Sequence, residues 1–271
     1  MFKKKGLCLV ILLVVLLFTA CSNSSSEEVS PKEDEKVKSK TEELAYNPPS
    51  LEDLDPDDPA TEYIQYGEEV FNETHVVLEE NVGNELSCQS CHADGGVAQS
   101  SSMVGVTTQF PQYRPREGVV FTLEDRINGC MVRSMNGEMI PNDSKEMRSL
   151  VAYLTYISEG IEVGEEIPWR MLNTMKEIPE PDVTRGEELY EEKNCMSCHA
   201  TDGSGTGANS GPALWGDDSF NDGAGMARMV KMAGYLKKQH APSRRTSINR
   251  SRSSRFSSFH IISRTSRMER T

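Results

Sequence analysis

The pentapeptide Cys-x-x-Cys-His occurs twice in this chain of 271 residues, as Cys88-Gln89-Ser90-Cys91-His92 and as Cys195-Met196-Ser197-Cys198-His199. Two thiols at this spacing reach the two vinyl groups of a haem, and the adjacent imidazole binds the iron from the proximal side. A structural zinc site or a redox dithiol competes for the CxxC half of the pattern. A zinc site, however, wants four closed ligands, whereas each copy here brings its own histidine in register. The motifs therefore read as attachment sites for two covalently bound haems c, held by Cys88, Cys91, Cys195 and Cys198, with His92 and His199 as proximal iron ligands. They lie about one small domain apart in sequence. The expected fold is all-α, with two tandem small cytochrome c domains behind a disordered N-terminal tether.

The N-terminus supplies the context for that chemistry. Lys3, Lys4 and Lys5 precede an apolar run at 7–18, the form of an export signal, and the run is short for a membrane span. It ends in Phe18-Thr19-Ala20-Cys21, which resembles the lipobox of bacterial lipoproteins. That resemblance implies removal of residues 1–20, acylation of Cys21 and anchoring at the outer face of the cell membrane. A non-cleaved anchor with an incidental cysteine would leave the protein at the same face.

Residues 21–60 read as an acidic flexible linker. Between 22 and 61 there are 12 Asp/Glu against 4 Lys, and such a segment buries too little apolar surface to offset the entropy of ordering. The formal charge of −13 argues against nucleic acid as a partner, because a phosphate-binding surface needs clustered cations.

A first domain is expected over 61–162. Tyr63, Ile64, Tyr66, Val70 and Phe71 fall at roughly helical spacing. Thr122 reads as an N-cap with Glu124 and Asp125 in the first turn, which would stack Arg126, Cys130 and Ser134 on one helix face, although Asn128-Gly129 weakens that helix. From Ser144, an apolar stripe of Met147, Leu150, Val151, Leu154 and Ile157 marks a clearer helix ending around Gly160. Residues 163–181, with Pro168, Pro179 and Pro181, read as an extended connection. The second domain, 182–242, opens with Asp182 or Thr184 capping a helix that carries Leu189 and Tyr190. Residues 243–271 hold 8 Arg, against 8 in all the rest. This tail reads as a shifted reading frame or truncated gene end, in preference to a basic interaction tail.

The distal ligand decides whether a haem only passes electrons or also reacts. Four of the 7 cysteines lie in the motifs, Cys8 lies in the export signal and Cys21 at its end, which leaves Cys130 to explain. In the first domain the candidates are Cys130, Met103, Met131, Met135, Met139 and His75. Methionine is the usual electron-transfer ligand. A thiol flanked by guanidinium groups and able to bind ferric iron would instead be held as thiolate.

The stretch 83–92 around the first motif, Phe110-Pro111-Gln112-Tyr113-Arg114-Pro115-Arg116, and Asp125-Arg126-Ile127-Asn128-Gly129-Cys130-Met131-Val132-Arg133-Ser134-Met135-Asn136-Gly137 together resemble the dihaem thiosulfate dehydrogenases that form tetrathionate. The resemblance spans roughly 61–242. It implies His92/Cys130 ligation at a catalytic first haem, active-site arginines at Arg116 and Arg126, and an active-site serine at Ser134. From the residues alone, Arg116 and Arg126 could also partner haem propionates, but fixed cations suit dianions that must be brought together.

For the second haem the family places Lys or Asn and then Met before a proline. This chain has Lys238-Gln239-His240-Ala241-Pro242, so His240 becomes the expected distal ligand, against Met226, Met229, Met232 or a lysine. The resemblance further implies a small dianionic sulfur substrate, an electron-accepting cytochrome or oxidase as partner, and an oxidoreductase that joins two thiosulfates and releases two electrons. Two other readings stay open: a plain electron-transfer cytochrome serving a terminal oxidase, and a haem subunit of a larger sulfur-oxidising complex with a carrier-protein partner.

Overall fold

The computed structural model describes residues 46–98, 101–165, 167, 175 and 177–238. In chain order its elements are α1 (Ala60–Asn72), α2 (Thr74–Val77), α3 (Cys88–Cys91), β1 (Gln112–Arg114), β2 (Val119–Phe121), α4 (Leu123–Arg133), α5 (Lys145–Tyr156), α6 (Val183–Glu192), α7 (Met196–His199) and α8 (Met229–Lys238). The described residues from Pro48 onward belong to one compact unit. None of its helices is long and apolar enough to cross a membrane, among the described residues. Cys21, His240 and the tail 243–271 lie outside the described residues.

The first domain is built on the crossing of α1 and α5. α1 starts where Asp58 accepts a hydrogen bond from the Ala60 amide at 2.8 Å, which satisfies one of the orphan donors of a helix start. α5 starts at Ser144, whose hydroxyl accepts from the Met147 amide at 3.1 Å. Ile64, Val70 and Phe71 of α1 are buried with Met147, Leu150, Tyr153 and Leu154 of α5. Four members of the stripe expected from Ser144 are thus in the core, with Val151 packed at its edge. The close approach depends on Gly67, where a Cβ would sit 1.9 Å from the Ser149 carbonyl oxygen.

Thr122 caps α4 as expected, in a reciprocal capping box with Asp125. The helix runs through Asn128-Gly129 without a break. Asn128 is buried and its side chain bonds Ile140 in both directions, donating to the carbonyl at 2.9 Å and accepting from the amide at 2.8 Å. This tertiary pairing offsets its weak helix preference. The hairpin before α4 was not foreseen. β1 and β2 pair antiparallel with Gln112 opposite Phe121 and Arg114 opposite Val119, closed by a turn at Gly118 with φ +74°. Val119 and Val120 are exposed, so no alternating burial pattern announces the strands.

The second domain is thinner. Asp182 caps α6, accepting from the Arg185 amide at 3.0 Å, but α6 contains no buried residue. Tyr190 at its end donates to the Ala200 carbonyl at 2.6 Å, and Trp215 packs where a Cβ on Gly203 would fall 2.0 Å from its ring.

The second domain is docked on the first by side-chain amides. Asn209 donates to the Asn72 carbonyl at 2.8 Å and to the Glu73 carboxylate at 2.9 Å. Asn221 donates to the Val132 carbonyl at 3.1 Å. Asn84 bridges Ser134 and Ser219, donating to their carbonyls at 3.0 and 2.8 Å. Ser90, inside the first motif, donates to the Ala208 carbonyl at 2.9 Å.

Candidate haem and anion site

The first motif forms a single turn, α3, fixed by a capping box between Ser87 and Ser90. Thr74, fully buried, accepts from the Cys88 amide at 3.1 Å, and its hydroxyl oxygen lies 3.4 Å from the Cys88 sulfur. His92 Nδ1 lies 2.7 Å from the Ser101 carbonyl oxygen. A carbonyl can only accept, so Nδ1 carries the proton and Nε2 keeps its lone pair for a metal. His199 repeats the arrangement with the Pro212 carbonyl, also at 2.7 Å. Burial holds the His92 imidazole below its usual pKa, which keeps it neutral, the form that ligates.

The thiols fit attachment better than dithiol chemistry. Burial, with the neighbouring Cys130 adding to it, pushes Cys88 up to about 12 and Cys91 up to about 11, whereas a reactive CxxC needs a lowered pKa. All five described cysteines are free of disulfides, and no closed group of His, Cys, Asp and Glu able to hold a metal ion occurs among the described residues. Both motifs therefore present what a haem c requires: two thiols on one turn and an imidazole oriented through its far nitrogen.

Cys130 lies close enough to the first motif for its charge to act on both Cys88 and Cys91. Arg126, one turn earlier on α4, donates from Nη1 to the Cys130 sulfur at 2.8 Å. The charge on Cys130 is the main cause that raises the Arg126 guanidinium above its ordinary value, and Glu117 contributes. Ser134 is half-buried at the C-cap of the same helix, its amide bonded to the Cys130 carbonyl at 2.7 Å. Arg116 is not gathered with them. It is exposed in the hairpin turn and makes no hydrogen bond or ion pair to another described residue.

The other ligand candidates differ in their surroundings. Met131 and Met135 are buried in the hydrophobic core, Met139 is 66% exposed, and Met103 packs against Gly96. His75 Nδ1 lies 2.9 Å from the Ser87 hydroxyl, where it braces the capping residue of α3. In the second domain Met226 and Met232 are half-buried and Met229 is exposed.

Three participants escaped the sequence. Thr74 supports Cys88 from 14 residues away, and nothing local announces it. Tyr235 of α8 reaches the first motif, where burial and the nearby Cys91 push its hydroxyl up to about 12. Glu117, in the unforeseen hairpin turn, pairs with Arg133 of α4 at 3.3 Å; the spacing of Arg126 and Arg133 was the available signal.

Comparison with known proteins agrees with this geometry. Residues 67–163 match the family described as SoxA/TsdA, cytochrome c domain, and residues 183–251 match cytochrome c. A thiosulfate dehydrogenase of Allochromatium vinosum is 40% identical over 191 residues, covering 67% of this chain and 70% of that protein. One of Stutzerimonas stutzeri is 36% identical over 203 residues, covering 72% of this chain and 64% of that protein. The solved thiosulfate dehydrogenase (TsdBA) of Marichromatium purpuratum, in its "as isolated" form, superposes with a TM-score of 0.68 at 29% identity, over 79% of this chain and 47% of that one. The chain thus spans 47–70% of the length of these relatives, with two cytochrome c domains that imply covalently bound haem c. It belongs to the thiosulfate dehydrogenase family of c-type cytochrome oxidoreductases.

Proposed function

We propose that this protein oxidises two thiosulfates to tetrathionate at Cys130, with both motifs carrying a haem c, and that the reaction also runs backwards as tetrathionate reduction. The observation that carries this reading is the 2.8 Å hydrogen bond from Arg126 to the Cys130 sulfur beside the first motif. A guanidinium held there donates a charge-assisted hydrogen bond to the sulfur that reacts. The names of the relatives supply the substrate.

The sulfur chemistry balances on the chain's own residue. The Cys130 thiolate and the outer sulfur of one thiosulfate form a sulfur–sulfur bond, which releases two electrons. A second thiosulfate then attacks that same outer sulfur; tetrathionate forms and the Cys130 thiolate departs. No proton is consumed or released. Arg126 holds the Cys130 sulfur before and after, and Ser134 contributes a donor to the oxyanions. When bound, two haems supply two one-electron acceptors, which matches the electrons released.

Cys130 and His240 are proposed as the distal ligands of the first and second haem, a cytochrome or oxidase as the electron acceptor, and the outer face of the cell membrane, through acylated Cys21, as the location.

The test is thiosulfate-dependent reduction of ferricyanide by the purified protein, compared with oxidation of reduced viologen by tetrathionate. Cys130→Ala with both haems attached is expected to lose turnover in both directions. Full turnover in that variant would show that Cys130 does no chemistry, whereas a wild-type holoprotein with no turnover in either direction would favour the plain electron-transfer reading.

A further inference from the structure

Cys130 has an arginine on either side of it along α4. Arg126 and Arg133 are two helical turns apart and share a face with Cys130 between them. The first is engaged on the Cys130 sulfur. The second has a seat of its own. A Cβ on Gly129 would lie 2.6 Å from Nη2 of Arg133, so the Arg133 side chain folds back over Gly129, as helical side chains lean towards the N-terminus. Its guanidinium then lies level with Cys130 along the helix axis. Glycine is a poor residue for a helix interior, and this close approach accounts for it.

Two further contacts fix the position. Arg133 Nη1 pairs with Glu117 Oε1 at 3.3 Å, in a setting where the Glu117 side chain is only 15% exposed and that of Arg133 27%. Gly223 of the second domain closes over the stem, with Arg133 Cγ 3.4 Å from where its Cβ would be. The pairing uses one edge of the fork, and the remaining Arg133 donors have no partner among the described residues. The other Glu117 oxygen is buried and unpartnered, so the carboxylate fixes the guanidinium without saturating it.

We infer that Arg133, seated on Gly129 and tethered by Glu117, is a third cationic residue of the anion site and binds one sulfonate end of tetrathionate, the end contributed by the second thiosulfate. This rests on the thiosulfate reading above. Tetrathionate carries a sulfonate at each end, and a single guanidinium already committed to a sulfur cannot hold both. A part-buried Arg three residues beyond Cys130 on the same helix face supplies the second point of charge.

The experiment uses the full holoprotein and the variants Arg133→Gln, Arg133→Lys and Gly129→Ala. Gly129→Ala moves the guanidinium off its seat without removing its charge, at little structural cost because the clash is with the end of a flexible side chain. Two readouts are taken: KM and kcat for thiosulfate with ferricyanide, and the rise in melting temperature produced by tetrathionate, which reports binding without turnover. Arg133→Gln is expected to raise KM about tenfold, the loss of one charge-assisted hydrogen bond, and to shrink the tetrathionate-induced rise. Gly129→Ala is expected to change both in the same direction with the ligand-free melting temperature undiminished, and Arg133→Lys to restore part of the binding. Unchanged KM and unchanged tetrathionate response in both Arg133→Gln and Gly129→Ala overturn the inference, as does a fall in kcat with KM unmoved. A wild-type protein that neither turns over thiosulfate nor responds to tetrathionate overturns the thiosulfate reading itself, and this inference with it.

Discussion

Thr74 shows how a single buried hydroxyl can hold a motif in place. It donates to the Val70 carbonyl at 2.8 Å and accepts from the Cys88 amide at 3.1 Å. Thr74→Val keeps the shape but strands that amide, a loss of about 1–3 kcal/mol. Chemical denaturation of the holoprotein should show the drop, and mass spectrometry should show a lower yield of haem at Cys88 and Cys91 than at Cys195 and Cys198. At this scale the sequence was legible where the covalent pattern is local. The cysteines and histidines of both motifs announce themselves, and the Arg126–Cys130 contact follows from helical spacing. His75 was a ligand candidate by residue type alone, and only the fold reveals that it serves Ser87. Arg116 carries the reverse lesson: a role implied by resemblance meets a side chain exposed in a turn.

Among the elements, the α1–α5 crossing has the least tolerance. Gly67→Ala places a methyl 1.9 Å from the Ser149 carbonyl oxygen, and backbone on both sides leaves neither helix free to yield. Overpacking of this kind costs about 1–3 kcal/mol, against a gain of up to about 1 kcal/mol in helix propensity. A fall in the urea midpoint with an unchanged slope is the expected signature. α4 and α5 were readable because Thr122 and Ser144 cap them and their apolar residues recur every three to four positions. The β1–β2 hairpin was not, since its valines face solvent and no period of two marks it. That omission also hid Glu117, and with it the partner of Arg133. α6 was readable by its cap, yet it buries nothing among the described residues, in contrast to the six buried residues of α1. A helix pattern predicts a helix, not the surface that will cover it.

For the molecule as a whole, the tandem all-α architecture followed from two motifs one domain apart, but the way the domains meet did not. Asparagines 84, 209 and 221 have no sequence signature, because their acceptors are backbone carbonyls up to 137 residues away. Asn209→Ala combined with Asn221→Ala removes bonds worth about 1 kcal/mol each. Amide hydrogen exchange over 206–223 should then quicken about thirtyfold or more, since the seam opens more often when fewer bonds hold it shut, while exchange in α1 and α5 stays as it was. Among the hydrogen bonds named in this seam, the one to the Glu73 carboxylate alone involves a charged group. A clasp made mostly of neutral amides on backbone oxygens responds little to the ionic medium. The seating of the second domain on the first is thereby expected to be the same in dilute water and in brine.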